Sequence, residues 1–156
     1  MANQRNSIEA VIRDATICSR NFSGRAGRYN KEGDRSFTIV LDEDQGEEMI
    51  ADGWNVKKKE GREPGDPPRY YLGVSVNFNP KYTPILVLRT SSGRKTILTE
   101  ETCGCLDGGR FEKIDIALNG RVWEAAGGKT GIKAYLRSGY FTINEDPLAE
   151  EYGMYD

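Results

Sequence analysis

From residue 70 to residue 78 the sequence YYLGVSVNF alternates without a break. Tyr70, Leu72, Val74, Val76 and Phe78 fall on one face, and Tyr71, Gly73, Ser75 and Asn77 on the other. A period of two belongs to a half-buried β-strand; apolar residues of an amphipathic helix recur every three to four positions. The same period returns at 35–41, where Phe37, Ile39 and Leu41 share a face, at 111–124 with Ile114, Ile116 and Leu118, and at 131–144 with Ile132, Ala134 and Leu136. Residues 8–18 read as one long or bent strand with Ile8, Ala10 and Ile12 together. ILVLRT and the return through Thr96, Ile97 and Leu98 form a hairpin with Arg94 and Lys95 at its tip. Asp42 is placed to cap a short helix through Met49 to Asp52, with acids in its first turn and Gly53 at its stop. Thr99, Glu100 and Glu101 suit the start of a second short helix ending near Gly108 and Gly109. Residues 57–69, charged and rich in Pro and Gly, read as a long exposed loop. Six or seven short strands, two short helices and no βαβ rhythm predict a mainly β, Greek-key barrel.

Several kinds of chemistry are disfavoured by what the chain lacks. It has no His, so triads built on Ser-His or Cys-His are excluded. Three cysteines, Cys18, Cys103 and Cys105, with no secretory signal point to reduced thiols, and without His they fall short of the four ligands of structural zinc. No cofactor and no metal is expected. No stretch approaches the roughly 20 apolar residues of a membrane span, and the expected location is the cytosol. Gly128, Lys129 and Thr130 look like the end of a phosphate-binding P-loop, but the motif needs glycine at 123, where Trp stands; they read as a hairpin turn offering Lys129 to solvent.

A net charge of -2 conceals a polarised distribution. Six acids crowd into residues 42–52 and five more into 145–156, leaving 22 bases against 13 acids elsewhere. The predicted organisation is therefore a domain over 1–144 and an acidic tail over 145–156. The basic residues are interleaved with aromatics. A Gly-rich loop carries Arg20, Phe22, Arg25, Arg28, Tyr29, Lys31 and Arg35; Trp54 precedes Lys57, Lys58, Lys59 and Arg62; Tyr71 lies on the polar face of its strand; Arg89, Arg94 and Lys95 mark the hairpin, and Lys129 a turn. On the last strand Lys133, Tyr135 and Arg137 share the face opposite the core residues. Cations that hold phosphates and aromatic faces that stack bases are what a single-strand binder needs. Each element alone is also compatible with a solvated face, and their number is what favours binding.

The order of RNFSG, the basic Gly loop, GDRSFTIVLD, an acidic helix ending in DGWNVK, REPGDPPRYYL, TEET and GKTGIKAYLRS resembles the small single-stranded-DNA-binding proteins of tailed bacteriophages, over residues 8–146. The resemblance implies an OB-fold barrel that coats single-stranded DNA during phage replication or recombination in the infected bacterium. It also implies an acidic tail that recruits replication proteins, with Glu150, Glu151, Tyr152, Tyr155 and Asp156 as the contact residues. Two other readings stay open: a protein-binding adaptor or inhibitor, and a metal-dependent nuclease. The nuclease is disfavoured because the acids concentrate in a helix start and a tail instead of pairing on strands.

Overall fold

The alternating runs join into one sheet that curls back on itself. The computed structural model describes residues 8–28, 30–78 and 83–143, so Tyr29, residues 1–7 and the expected acidic tail lie outside the described residues. The strands are β1 (Ile8–Ile12), β2 (Thr16–Asn21), β3 (Arg35–Leu41), β4 (Val56–Lys59), β5 (Arg69–Val76), β6 (Ile85–Thr90), β7 (Lys95–Leu98), β8 (Lys113–Glu124) and β9 (Thr130–Ile143). One helix, α1 (Glu43–Asp52), follows β3, and a 3-10 turn, Cys103–Asp107, precedes β8. The strand order is β1-β8-β9-β5-β3-β2, with β4 added to β5 and the β6–β7 hairpin added to β9. Its two ends, β1 and β2, are consecutive in the chain, separated only by residues 13–15, so a short bend links the two edges of the curled sheet.

Asp14 makes that bend possible. Its φ of 52° is in the left-handed region that Asp tolerates better than most residues. Its amide donates to Asp115 Oδ1 at 2.9 Å and that of Ala15 to the Ile114 carbonyl at 2.7 Å, so the bend stays attached to β8. The long or bent strand expected at 8–18 is thus two strands. β4 is a second difference: Lys57, Lys58 and Lys59 lie in a strand paired with β5, and only residues 60–68 remain as loop. VKKK has no apolar alternation, and the free edge of β5 supplies the hydrogen bonds that the sequence does not advertise. Nine strands among the described residues therefore replace the expected six or seven.

Where apolar periodicity was strong, the elements fall as predicted. Phe37, Ile39 and Leu41 are buried, as are Leu72, Val74, Val76, Ile114, Ile116, Leu118, Ala134 and Leu136. Helix α1 begins where Asp42 Oδ1 accepts the Gln45 amide at 2.7 Å and ends at Gly53, whose φ of 99° suits glycine. Gly46 lets the helix lie on Tyr70, because a Cβ there would come within 2.3 Å of the Tyr70 ring. The second helix shrinks to the 3-10 turn, held where the Cys103 amide meets the Thr99 carbonyl at 2.8 Å.

Candidate nucleic-acid interface

In β9 the inward residues are Ile132, Ala134 and Leu136, so Lys133 and Tyr135 point to the exterior. Strand pairing fixes what lies beside them. Ser36 pairs with Ser75, Ser75 with Tyr135, and Tyr135 with Asn119, which draws one polar line across β3, β5, β9 and β8. Lys133 pairs with Arg121 on β8. The half-buried Tyr135 ring therefore has two cations over it, Arg121 at 5.3 Å and Lys133 at 5.4 Å from its centroid. Among the described residues neither cation is ion-paired to a carboxylate.

Across β5 and β4 the same exterior face continues. Tyr71 is half-buried, pairs with Lys57, and has Lys59 at 6.0 Å from its ring centroid. Between Tyr71 and Ser75 stands Gly73, where a Cβ would meet nothing within 4 Å, so the floor of the face is open. Beside Tyr135 a cleft of about 440 Å3 is lined by Lys133, Ser75, Phe78, Asn30, Arg35 and Glu100. The cleft links the sheet face to the basic loop between β2 and β3. Arg35 in its wall is bound to Glu100 at 3.0 Å and lies 5.7 Å from the Phe78 ring centroid.

The loop is ordered from within. Asn30 Nδ2 donates to the carbonyls of Arg25, Asp34 and Lys31 at 2.7, 3.0 and 3.2 Å, and the Gly33 amide donates to the Gly24 carbonyl at 2.8 Å. Arg25, Arg28 and Lys31 are exposed on it.

Other expected site residues do not join this face. Phe22 has no exposed surface; it stacks on Phe37 at 5.2 Å and meets Phe141 edge-on at 5.8 Å, so it is a core residue that no base can reach. Trp54 is likewise buried, at 6% exposure, under the bridge to Ile132. Arg20 turns its guanidinium to backbone carbonyls of residues 106–109 instead of to solvent. Lys58 points to the opposite side of β4 from Lys57 and Lys59, where it binds Glu47 at 3.0 Å. There Glu47 also accepts the Tyr70 hydroxyl. Hydrogen bonds from Tyr70 and then Lys58 hold the Glu47 carboxyl below its usual range, and the bond to Glu47 pushes the Tyr70 phenol and the Lys58 ammonium up.

Arg137 sits where the β8–β9 register shifts, and it is ion-paired with Glu9 of β1. Arg89, Arg94 and Lys95 belong to the β6–β7 hairpin, which pairs with β9 only from Ser138 onward, beyond that shift. Arg62 is exposed on the 60–68 loop and Lys129 in the β8–β9 turn, where the Ala125 amide meets its carbonyl at 2.7 Å. Arg121 is the site residue that sequence reading missed. A five-residue turn at 125–129 puts Glu124 opposite Thr130, and counting outward from it leads to Arg121 opposite Lys133.

Among the described residues no group of three or more His, Cys, Asp or Glu is placed to hold a metal, and no helix is long and apolar enough to cross a membrane. The three cysteines are free thiols; burial pushes those of Cys103 and Cys105 up.

The sequence model of the phage single-stranded-DNA-binding domain matches residues 1–155. The chain belongs to that family. Its ligand class is accordingly single-stranded DNA, and its place is phage DNA replication. Among solved structures, the single-stranded DNA-binding protein from bacteriophage Enc34 superposes with a TM-score of 0.55 at 12% identity, covering 95% of this chain and 87% of that one. A C-terminal truncation of the same Enc34 protein gives 0.54 at 11% identity, covering 89% of this chain and 88% of that one. At such identities the likeness is one of fold, and it agrees with an OB-type barrel. No curated protein matches by sequence.

Proposed function

We propose that the DNA strand crosses the exterior of β4, β5, β9 and β8 and continues through the cleft toward the basic loop. Tyr135 stacks one base, Tyr71 offers a second aromatic face, and Lys133, Arg121, Lys57 and Lys59 hold the phosphates between. The observation that carries this reading is the Tyr135 ring with two cations within 5.4 Å of its centroid, neither of them ion-paired to a carboxylate among the described residues. A π-face and a point charge are indifferent to base identity, so binding is independent of sequence. OB-type barrels in general bind oligonucleotides on a strand face and the loops beside it. Membership of a single-stranded-DNA-binding family supports a protein that acts as a coat and not as an enzyme. Its place of work is the cytoplasm of the infected host. The domain ends near residue 144, and the tail from 145, rich in acids and with Glu150, Glu151, Tyr152, Tyr155 and Asp156 at its end, serves to dock replication or recombination proteins.

Titration of a labelled oligo-dT at several salt concentrations tests this. With four to six phosphates neutralised, log K falls against log salt with a slope of roughly -3 to -4, and duplex of the same length binds far more weakly. An affinity indifferent to salt, or equal for duplex, overturns the reading.

A further inference from the structure

The basic loop has a fixed root, and a carboxylate fixes it. Asp107, at the end of the 3-10 turn, keeps 14% of its side chain exposed. Its Oδ1 accepts the Phe22 amide, and its Oδ2 accepts the Ser23 amide at 3.1 Å and the Ser23 hydroxyl at 2.7 Å. Arg25, 69% exposed, stands 3.7 Å from the same oxygen. The turn is held in its own place from the other direction. Arg20 Nη1 lies 3.1, 3.3 and 3.2 Å from the carbonyls of Leu106, Gly108 and Gly109, and its guanidinium sits 5.5 Å from the Phe111 ring centroid. Cys103 Sγ donates to the Phe22 carbonyl at 3.2 Å, and a Cβ on Gly104 would come within 3.1 Å of Ser23 Cβ. Turn and loop root are thus docked with little space between them.

We propose that Asp107, braced by Arg20, is the positioning residue of the DNA-binding loop: it touches no DNA, and it orders residues 22–25 so that Arg25, Arg28 and Lys31 are presented beside the cleft. This rests on the interface reading above. An acid at the root of a cationic loop is unfavourable to a polyanion if charge alone is counted. Its benefit is preorganisation, since a loop already ordered loses less entropy on binding. Asn at 107 would keep the shape, but its amide NH2 offers donors where the Phe22 and Ser23 amides and the Ser23 hydroxyl also donate.

The two roles give opposite signs. If Asp107 acted only as a charge, Asp107→Asn would tighten oligo-dT binding; as a positioning residue, its loss weakens binding by about five- to tenfold, the cost of ordering one or two side chains. Trypsin cleavage after Arg25, Arg28 and Lys31 in the free protein should quicken severalfold at temperatures well below the melting transition, a local change that a general loss of stability does not produce. Ser23→Ala, which removes the hydroxyl's bond to Asp107 and its longer one, 3.4 Å, to Asn21 Oδ1 while leaving the carboxylate in place, is the milder variant should Asp107→Asn fail to fold, with binding weakened about twofold and the same quickened cleavage. Variants that bind as tightly as the parent, or whose loop is cut no faster, overturn the proposal. Failure of the unmodified protein to bind oligo-dT would instead overturn the interface reading itself.

Discussion

Tyr70 and Tyr71 are neighbours in sequence, and each has a lysine of β4 near its ring, Lys58 at 5.6 Å and Lys59 at 6.0 Å. On the Tyr70 side α1 covers the ring and Glu47 accepts hydrogen bonds from both the phenol hydroxyl and the Lys58 ammonium, so all three polar groups have a partner within the protein. On the Tyr71 side, among the described residues, no helix covers the strand, Gly73 leaves the floor open, and Tyr135 on β9 has two cations that are not ion-paired to a carboxylate. The same residue types serve the fold on one face and are left available on the other. What separates them is the presence of an acid, and the acids were delivered by the helix. A cluster of Tyr and Lys therefore says little about binding until its carboxylates have been located.

The contrast is broken most severely by Tyr135→Ala. It should weaken oligo-dT binding by about 1–3 kcal/mol, roughly five- to 150-fold, with the melting temperature nearly unchanged. Tyr70→Phe should do the reverse, lowering the melting temperature while sparing affinity. A loss of stability in Tyr135→Ala without loss of affinity would mean that the exterior face is not the binding face.

A smaller effect sharpens the contrast among three adjacent lysines. Replacing Lys57 and Lys59 together by Gln should reduce the salt slope by about 1.4, some 0.7 for each phosphate contact on single-stranded DNA, whereas Lys58→Gln should leave the slope unchanged. Equal slopes for all three would show that β4 does not sort its lysines by face.

The smallest effect concerns pH and belongs to the covered face. Glu47 has a lowered pKa, so its contribution to stability is present above its ordinary 4.5 and fades as pH falls through the folded-state value. Tyr70 and Lys58 are raised, so theirs is present below their ordinary 10.0 and 10.5 and fades as pH rises through the folded-state values. Glu47→Gln should flatten both flanks of the profile of melting temperature against pH, with oligo-dT affinity at neutral pH unaltered. A profile identical to the parent's would show that this network contributes nothing to stability.

Strong periodicity made much of the fold legible in the chain alone. The alternation of Phe37, Ile39 and Leu41, of Leu72, Val74 and Val76, and of Ile132, Ala134 and Leu136 determined which side of each strand is core, and hence that Lys133 and Tyr135 face outward; Asp42 and Gly53 bounded α1 through their own backbone chemistry. These are local matters, decided by residues a few positions apart. Tertiary structure decided what depends on partners distant in sequence. Arg121 reaches Tyr135 because β8 pairs with β9; Phe22, flanked by basic residues, is core because β2 delivers it to Phe37 and Phe141; β4 is a strand because β5 had an unfilled edge. A side chain's surroundings, unlike its direction from the backbone, are set by strands brought together in space, and which of the described cations meet a carboxylate was decided there.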